Sequence, residues 1–245
     1  MRSLRILAAT LVAAVGLASS ASALTMYTTV VTPLWTFSSI QESSSFGDPE
    51  PLFDQPLSAG NQLVFFPPNF AATSTGGSGL DATGSQLQLM ISGNSLGQFI
   101  DTVNLSEFGD VVLAGFLGTG ATGAFASMAG FVTVVEVNNV SVAPIVIPFS
   151  GIFTPGSTFT FPANPGTTLW SGSISVDVAS VVANATKVVV SLDNDLYANS
   201  EATTSAKIQK KVVDGPAIII SVPEPGALAL LALGCLSLGL RARRS

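Results

Sequence analysis

Apolar and polar residues alternate with a period of two over much of this chain. Leu87, Leu89 and Ile91 interleave with Gln86, Gln88 and Ser92, and Ile174, Val176 and Val178 interleave with Ser173, Ser175 and Asp177. Such alternation predicts half-buried β-strands, because successive strand side chains point to opposite faces. Phe159 and Phe161 alternate with Thr158 and Thr160 in the same way. Residues 132–137 and 140–147 flank Asn138-Asn139 and read as a hairpin, since asparagine tolerates positive φ. Further strands are predicted at 26–36, 62–66, 100–105, 110–116, 187–192, 207–213 and 218–222. Helical periodicity with caps is absent outside the two termini. Many short strands without a fixed repeat predict an all-β fold of two packed antiparallel sheets, a β-sandwich or jelly-roll-like domain. Its interior is expected to hold Phe99, Phe116, Phe125, Phe131 and Trp170. Residues 43–56, acidic and proline-bearing, and residues 73–85, rich in Gly, Ser and Thr, are expected as exposed, mobile loops. Residues 147–156 are expected to connect two halves of the domain.

The termini break this pattern. Arg2 and Arg5 precede an apolar stretch at 6–18, and Ala21-Ser22-Ala23 forms a small-residue cleavage site. These features predict a secretory signal helix over residues 1–23, removed by signal peptidase so that the mature chain begins at Leu24. At the other end Val222-Pro223-Glu224-Pro225 is followed by an apolar run of 15 residues from Gly226 to Leu240 and by Arg241, Arg243 and Arg244. As a helix that run spans about 22 Å, less than the ~30 Å hydrocarbon core. It crosses with help from arginines snorkelling on one side and from the apolar residues 217–220 on the other. The prolines disfavour a helix through 223–225, which predicts an extended, protease-accessible joint. The positive-inside rule keeps the arginines in the cytoplasm and places the rest outside. The predicted organisation is a signal peptide (1–23), an exported β-domain (24–221) and a C-terminal sorting segment with a transmembrane helix (222–245).

In the order, spacing and position of Pro223-Glu224-Pro225, the apolar run and the arginine tail, the segment 222–245 resembles the PEP-CTERM sorting signal of Gram-negative bacteria that make extracellular polysaccharide. The resemblance implies that a membrane-embedded cysteine transpeptidase, the exosortase, recognises the motif and removes the helix and tail. It also implies transient inner-membrane anchoring followed by a surface or extracellular location, in a polysaccharide matrix or biofilm. An ordinary C-terminal anchor is the plainer alternative. The upstream stretch 187–211, with Ser191-Leu192-Asp193-Asn194-Asp195-Leu196 and Ile208-Gln209-Lys210-Lys211, is similar to segments that often precede this signal, and implies no activity.

Charge narrows the partners. Of the 15 acidic residues, 14 fall between Leu24 and Val222, against four lysines at 187, 207, 210 and 211. Residues 24–186 contain no basic side chain. Nucleic acid is therefore excluded as a partner, and an anionic polysaccharide would need a bridging cation. The one cysteine, Cys235, lies in the tail, so the exported region has no disulfide.

Chemistry is reached by elimination. Without histidine anywhere, and without cysteine or arginine between 24 and 222, the usual nucleophilic triads and zinc sites cannot be assembled. A glycosidase needs two carboxylates, and Glu42, Glu50, Glu107, Glu136 and Glu201 are present, but no pair has a readable geometry and all are expected as solvated surface acids. Gly118-Thr119-Gly120-Ala121-Thr122-Gly123 matches a dinucleotide pattern without its βαβ context, so a flexible turn is expected there and no cofactor is implied. Asp193 and Asp195 offer alternate oxygen ligands for Ca²⁺, against a polar turn as the plainer reading. Trp35 and Tyr197 are candidate sugar contacts, whereas Trp170 opens a regular strand and is expected in the core. The expectation is a non-enzymatic exported protein, structural or adhesive within an extracellular polysaccharide or biofilm matrix. A carbohydrate-binding module and a glycosidase are the alternatives.

Overall fold

In the computed structural model residues 24–210 and 216–223 are described, and they are all-β. The signal helix, Glu224, Pro225, the apolar run and Arg241, Arg243 and Arg244 lie outside the described residues. In chain order the strands are β1 (Leu24–Met26), β2 (Val30–Val31), β3 (Trp35–Ser44), β4 (Leu57–Ala59), β5 (Gln62–Phe65), β6 (Ala71–Thr75), β7 (Asp81–Gly93) and β8 (Thr102–Gly115). They continue with β9 (Gly123–Val137), β10 (Val140–Ser150), β11 (Ile152–Thr154), β12 (Thr158–Thr160), β13 (Gly166–Asp177), β14 (Ala185–Asn199), β15 (Thr204–Lys210) and β16 (Ile218–Ser221). Among the described residues no helix is long and apolar enough to cross a membrane.

The strands form two antiparallel sheets of eight. The first runs β1-β3-β7-β14-β9-β10, with β2 beside β3 and β12 beside β9. The second runs β11-β13-β8-β16-β5-β4, with β15 held between β6 and β8. Side chains from both sheets meet in one apolar cluster that includes Trp35, Phe37, Leu89 and Val190 from the first and Leu63, Phe65, Leu105 and Ile208 from the second. Opposed apolar faces of alternating strands bury each other, and this burial holds a domain without disulfides together.

Several expectations are met in detail. β7 and β14 pair from Ser92 to Asp81, with Leu87, Leu89 and Ile91 buried. The β9–β10 hairpin turns at Asn138 and Asn139, whose φ values of 50° and 60° are those asparagine tolerates. Residues 147–156 carry the chain from β10 in the first sheet to β11 in the second, one of several such crossings, since each sheet takes strands from both before and after this segment.

Others need correction. The strand expected at 26–36 is split into β1, β2 and the start of β3. Residues 71–75 and 81–93 are paired strands, so only a short turn remains of the expected loop at 73–85. The segment 45–56 is pinned through Leu52 and Phe53, both buried. Phe116, Phe125 and Phe131 are exposed and Phe99 is half-buried; on β9 the inward positions are Ala124, Ala126, Met128, Val132 and Val134. Residues 217–220 do not lengthen a membrane span: Ile218–Ser221 is β16, paired with β5 on one side and β8 on the other.

Candidate functional site

Three places in the fold carry chemistry: the junction with the sorting segment, an aromatic face on the first sheet, and a polar cluster between the sheets.

The junction begins inside the domain. β16 ends at Ser221, Val222 is buried, and Pro223 is exposed. The Trp35 Nε1 donates to the Val222 carbonyl over 3.0 Å. Trp35 is itself fully buried, so it is not a sugar platform, contrary to the expectation. The change from sealed to solvent-exposed backbone therefore falls between Val222 and the first proline of the motif.

The aromatic face is centred on Tyr197, which is half-buried on β14. Its ring meets Phe46 edge-on at 5.7 Å and Phe125 at 6.0 Å. Phe125 and Tyr197 border a recess of about 210 Å³ lined also by Leu80, Phe159 and Asn199. Asp193 and Asp195 lie on this outward side of β14, with Asn194 turned inward. They are thus mid-strand residues rather than a turn. Gln86 Nε2 donates to Asp193 at 2.8 Å and Ser127 Oγ to Asp195 at 3.3 Å. Burial pushes the Asp195 carboxyl up from its ordinary value, and the nearby Asp193 charge adds to this. Strand alternation puts the Asp193 and Asp195 carboxylates on one face and takes Asn194 away from them. Among the described residues no group of three acidic side chains is placed to hold a metal.

The acidic residues expected at the surface divide into three kinds. Glu42 is fully buried: it accepts from Tyr27 Oη at 2.5 Å, Leu52 N at 2.6 Å and Phe53 N at 2.9 Å, which fixes the 45–56 segment. Burial, reinforced by the hydrogen bond to Glu42, drives the Tyr27 phenol far above its ordinary range. Glu50 accepts from Thr25 Oγ1 at 2.8 Å and from Ser44 N at 2.5 Å, and Glu136 pairs with Lys187. Glu201 clamps the glycine-rich 118–123 loop, which is therefore held rather than free. Its carboxylate accepts from Thr119 N at 2.9 Å, Thr119 Oγ1 at 2.5 Å and Thr122 Oγ1 at 3.2 Å, and these bonds hold its pKa below the ordinary value.

Glu107 forms the third place. It sits on β8 with no solvent exposure and pairs with Lys210 of β15, equally sealed. Lys210 Nζ also donates to Asn194 Oδ1 of β14 at 2.9 Å. The Phe70 and Trp170 rings flank the ammonium, with centroids 5.1 and 5.4 Å from Nζ. Glu107 Oε1, Asn194 Nδ2 and Trp170 Nε1 have no hydrogen-bond partner among the described residues. Each unmet buried group costs about 1–3 kcal/mol, so the cluster is expensive as it stands. Burial pushes the Lys210 amine down, opposed by the Glu107 charge. The strand pattern held a signal for all three residues: Glu107 is in phase with Val103 and Leu105, Asn194 with Leu192 and Leu196, and Lys210 with Ala206 and Ile208.

Comparison with solved structures found a loop-swap mutant of Necallimastix patriciarum Xyn11A at 8% identity and TM-score 0.22, covering 80% of this chain and 95% of that one. It also found the infectious bursal disease virus VP2 subviral particle at 10% identity and TM-score 0.15, covering 83% of this chain and 58% of that one. No curated protein matched the chain. A family model, PEP-CTERM protein-sorting motif, matches residues 221–244. A motif of this kind implies export, transient membrane anchoring and processing by an exosortase before surface or extracellular localisation. The chain thus carries a PEP-CTERM protein-sorting motif, which starts at the last residue of β16 and follows directly from the folded domain.

Proposed function

We propose that the exported domain is a structural, adhesive component of an extracellular polysaccharide or biofilm matrix, without catalytic turnover. The observation that carries this reading is the junction: the sorting motif leaves directly from β16, so processing near Pro223 leaves a closed two-sheet body outside. The acidic composition adds to it. With no basic side chain in residues 24–186, association with an anionic polysaccharide runs through bridging divalent cations. The buried state of Glu42 and Glu107 supports the non-enzymatic reading, because neither carboxylate is open to a substrate. The test is co-sedimentation of the mature protein with matrix from the native host. Retention that is lost on chelation is the expected result, and protein remaining in the supernatant with Ca²⁺ present contradicts it.

A carbohydrate-binding role is the second reading, favoured by the Tyr197 and Phe125 rings that border an open recess, with Phe46 edge-on to Tyr197. Rings of this kind bind sugar by apolar stacking, which does not require charge. Saturable binding of a neutral oligosaccharide, insensitive to chelation, would single out this reading. Release of reducing ends in the same assay would single out a glycosidase.

A further inference from the structure

Lys210, Asn194 and Glu107 bring an amine, a carboxamide and a carboxyl group together in a sealed compartment. We propose that Lys210 and Asn194 join through an intramolecular amide bond, with Glu107 moving the protons and ammonia leaving.

The nucleophile is Lys210 Nζ, which lies 2.9 Å from Asn194 Oδ1, one carbonyl bond from the carbon it attacks. Full burial favours the neutral amine, the form able to attack, over the ammonium that the Glu107 charge and the faces of Phe70 and Trp170 would hold. The electrophile is Asn194 Cγ; its Oδ1 is polarised by Nζ, while Nδ2, the leaving nitrogen, is held by no partner among the described residues. The proton carrier is Glu107, with Oε2 bonded to Nζ and Oε1 unpartnered among the described residues. Room for it comes from Gly172, its cross-strand neighbour: a Cβ there would lie 3.0 Å from both Cγ and Oε1 of Glu107.

The step balances without a further reactant. Glu107 takes a proton from the ammonium, leaving a free amine and a neutral carboxylic acid. The Nζ lone pair adds to Asn194 Cγ and forms the new C–N bond, placing negative charge on Oδ1. Glu107 gives its proton to Nδ2 and takes the second proton from Nζ. Collapse of the adduct breaks the Cγ–Nδ2 bond and releases ammonia, leaving a secondary amide beside a protonated Glu107. The product removes a buried charge pair and eliminates the unpartnered Nδ2. It also joins β14 of the first sheet to β15 of the second, a covalent tie in a region that has no cysteine.

The test is intact mass and tryptic mapping of the full chain, allowed to fold and then denatured. The expected mass is lower than the sequence mass by about 17 Da, the ammonia lost when the amine displaces the amide nitrogen. Trypsin cannot cut after an acylated lysine, so the expected product is peptide 188–207 joined to peptide 208–211. Glu107→Gln and Lys210→Arg are each expected to restore the sequence mass and separate the peptides. Unaltered mass with separate 188–207 and 208–210 peptides in the wild-type chain overturns the proposal, whatever the variants do. The same mass loss with separate peptides marks a succinimide and overturns it equally. A folded Glu107→Gln chain that still yields the branched peptide overturns the part assigned to Glu107.

Discussion

Trp35 and Val222 are 187 positions apart, yet the indole Nε1 of the first donates to the carbonyl of the second over 3.0 Å. Trp35 opens β3 in the first sheet and Val222 follows β16 in the second, so both sheets hold the point at which the sorting motif leaves the domain. Trp35→Phe keeps an aromatic ring but removes the donor, leaving a buried carbonyl unmet at a cost of about 1–3 kcal/mol. The expected outcome is a lower unfolding midpoint together with faster proteolytic cutting around 222–223. An unchanged cutting rate would show that the indole does not hold this junction.

The sorting assignment rests on Pro223-Glu224-Pro225 and makes a separable prediction. Glu224→Ala is expected to leave full-length protein in the membrane fraction with its tail attached, whereas Cys235→Ser processes normally. Immunoblotting of membrane and supernatant fractions checks both. Normal release of the Glu224 variant would place recognition elsewhere.

Tyr197 separates the two readings of the domain. It is half-buried between two partly exposed rings, so Tyr197→Ala should leave the fold intact while breaking the aromatic face. If the face binds sugar, the dissociation constant rises at least about tenfold, a loss of ~1.4 kcal/mol, in calorimetric titration. Under the structural reading cation-dependent matrix retention is unchanged. Trp35 offers no such test, since its removal opens the core.

Glu201 should make the 118–123 loop sensitive to acid. Its hydrogen bonds to Thr119 and Thr122 favour the charged carboxylate and lower its pKa in the folded state. The stabilisation is therefore complete above the ordinary glutamate value of 4.5 and is lost as pH falls through the lower folded value. Protection of the Thr119 amide from hydrogen exchange is expected to be high at neutral pH, to fall in that acid window and to be low at every pH in Glu201→Ala. Protection that survives acidification would assign the loop's order to another contact.

Much of this architecture was legible in the chain because strand phase is a direct imprint of two-sided packing. The β7 and β13 alternations and the Asn138-Asn139 turn translated into structure without adjustment. The failures came from reading residue type instead of phase. Phe125 and Phe131 are large and apolar, but the inward phase of β9 belongs to Ala124, Ala126, Val132 and Val134, which leaves the rings outside. Glu42 misled in the opposite sense: a carboxylate suggests solvent, but β3 carries a register shift between Ser38 and Gln41, with Ser39 at φ 50°, and the new phase turns Ile40 and Glu42 inward. A local irregularity of that kind has no alternation signature. Glu107, Asn194 and Lys210 were individually in phase with apolar neighbours. Their convergence depends on β8 and β15 facing β14 across the interior, a pairing that no single segment encodes.

Export of this chain and trimming at its sorting motif, leaving the two-sheet domain outside, are read from the intact mass of the protein recovered from the outer surface and culture supernatant of the native host. The predicted species begins at Leu24, ends near Val222 to Pro225 and lacks residues 226–245, with any attached group adding to that mass. A species found in the inner membrane and still carrying residues 226–245 would contradict it and make the chain an ordinary anchored protein.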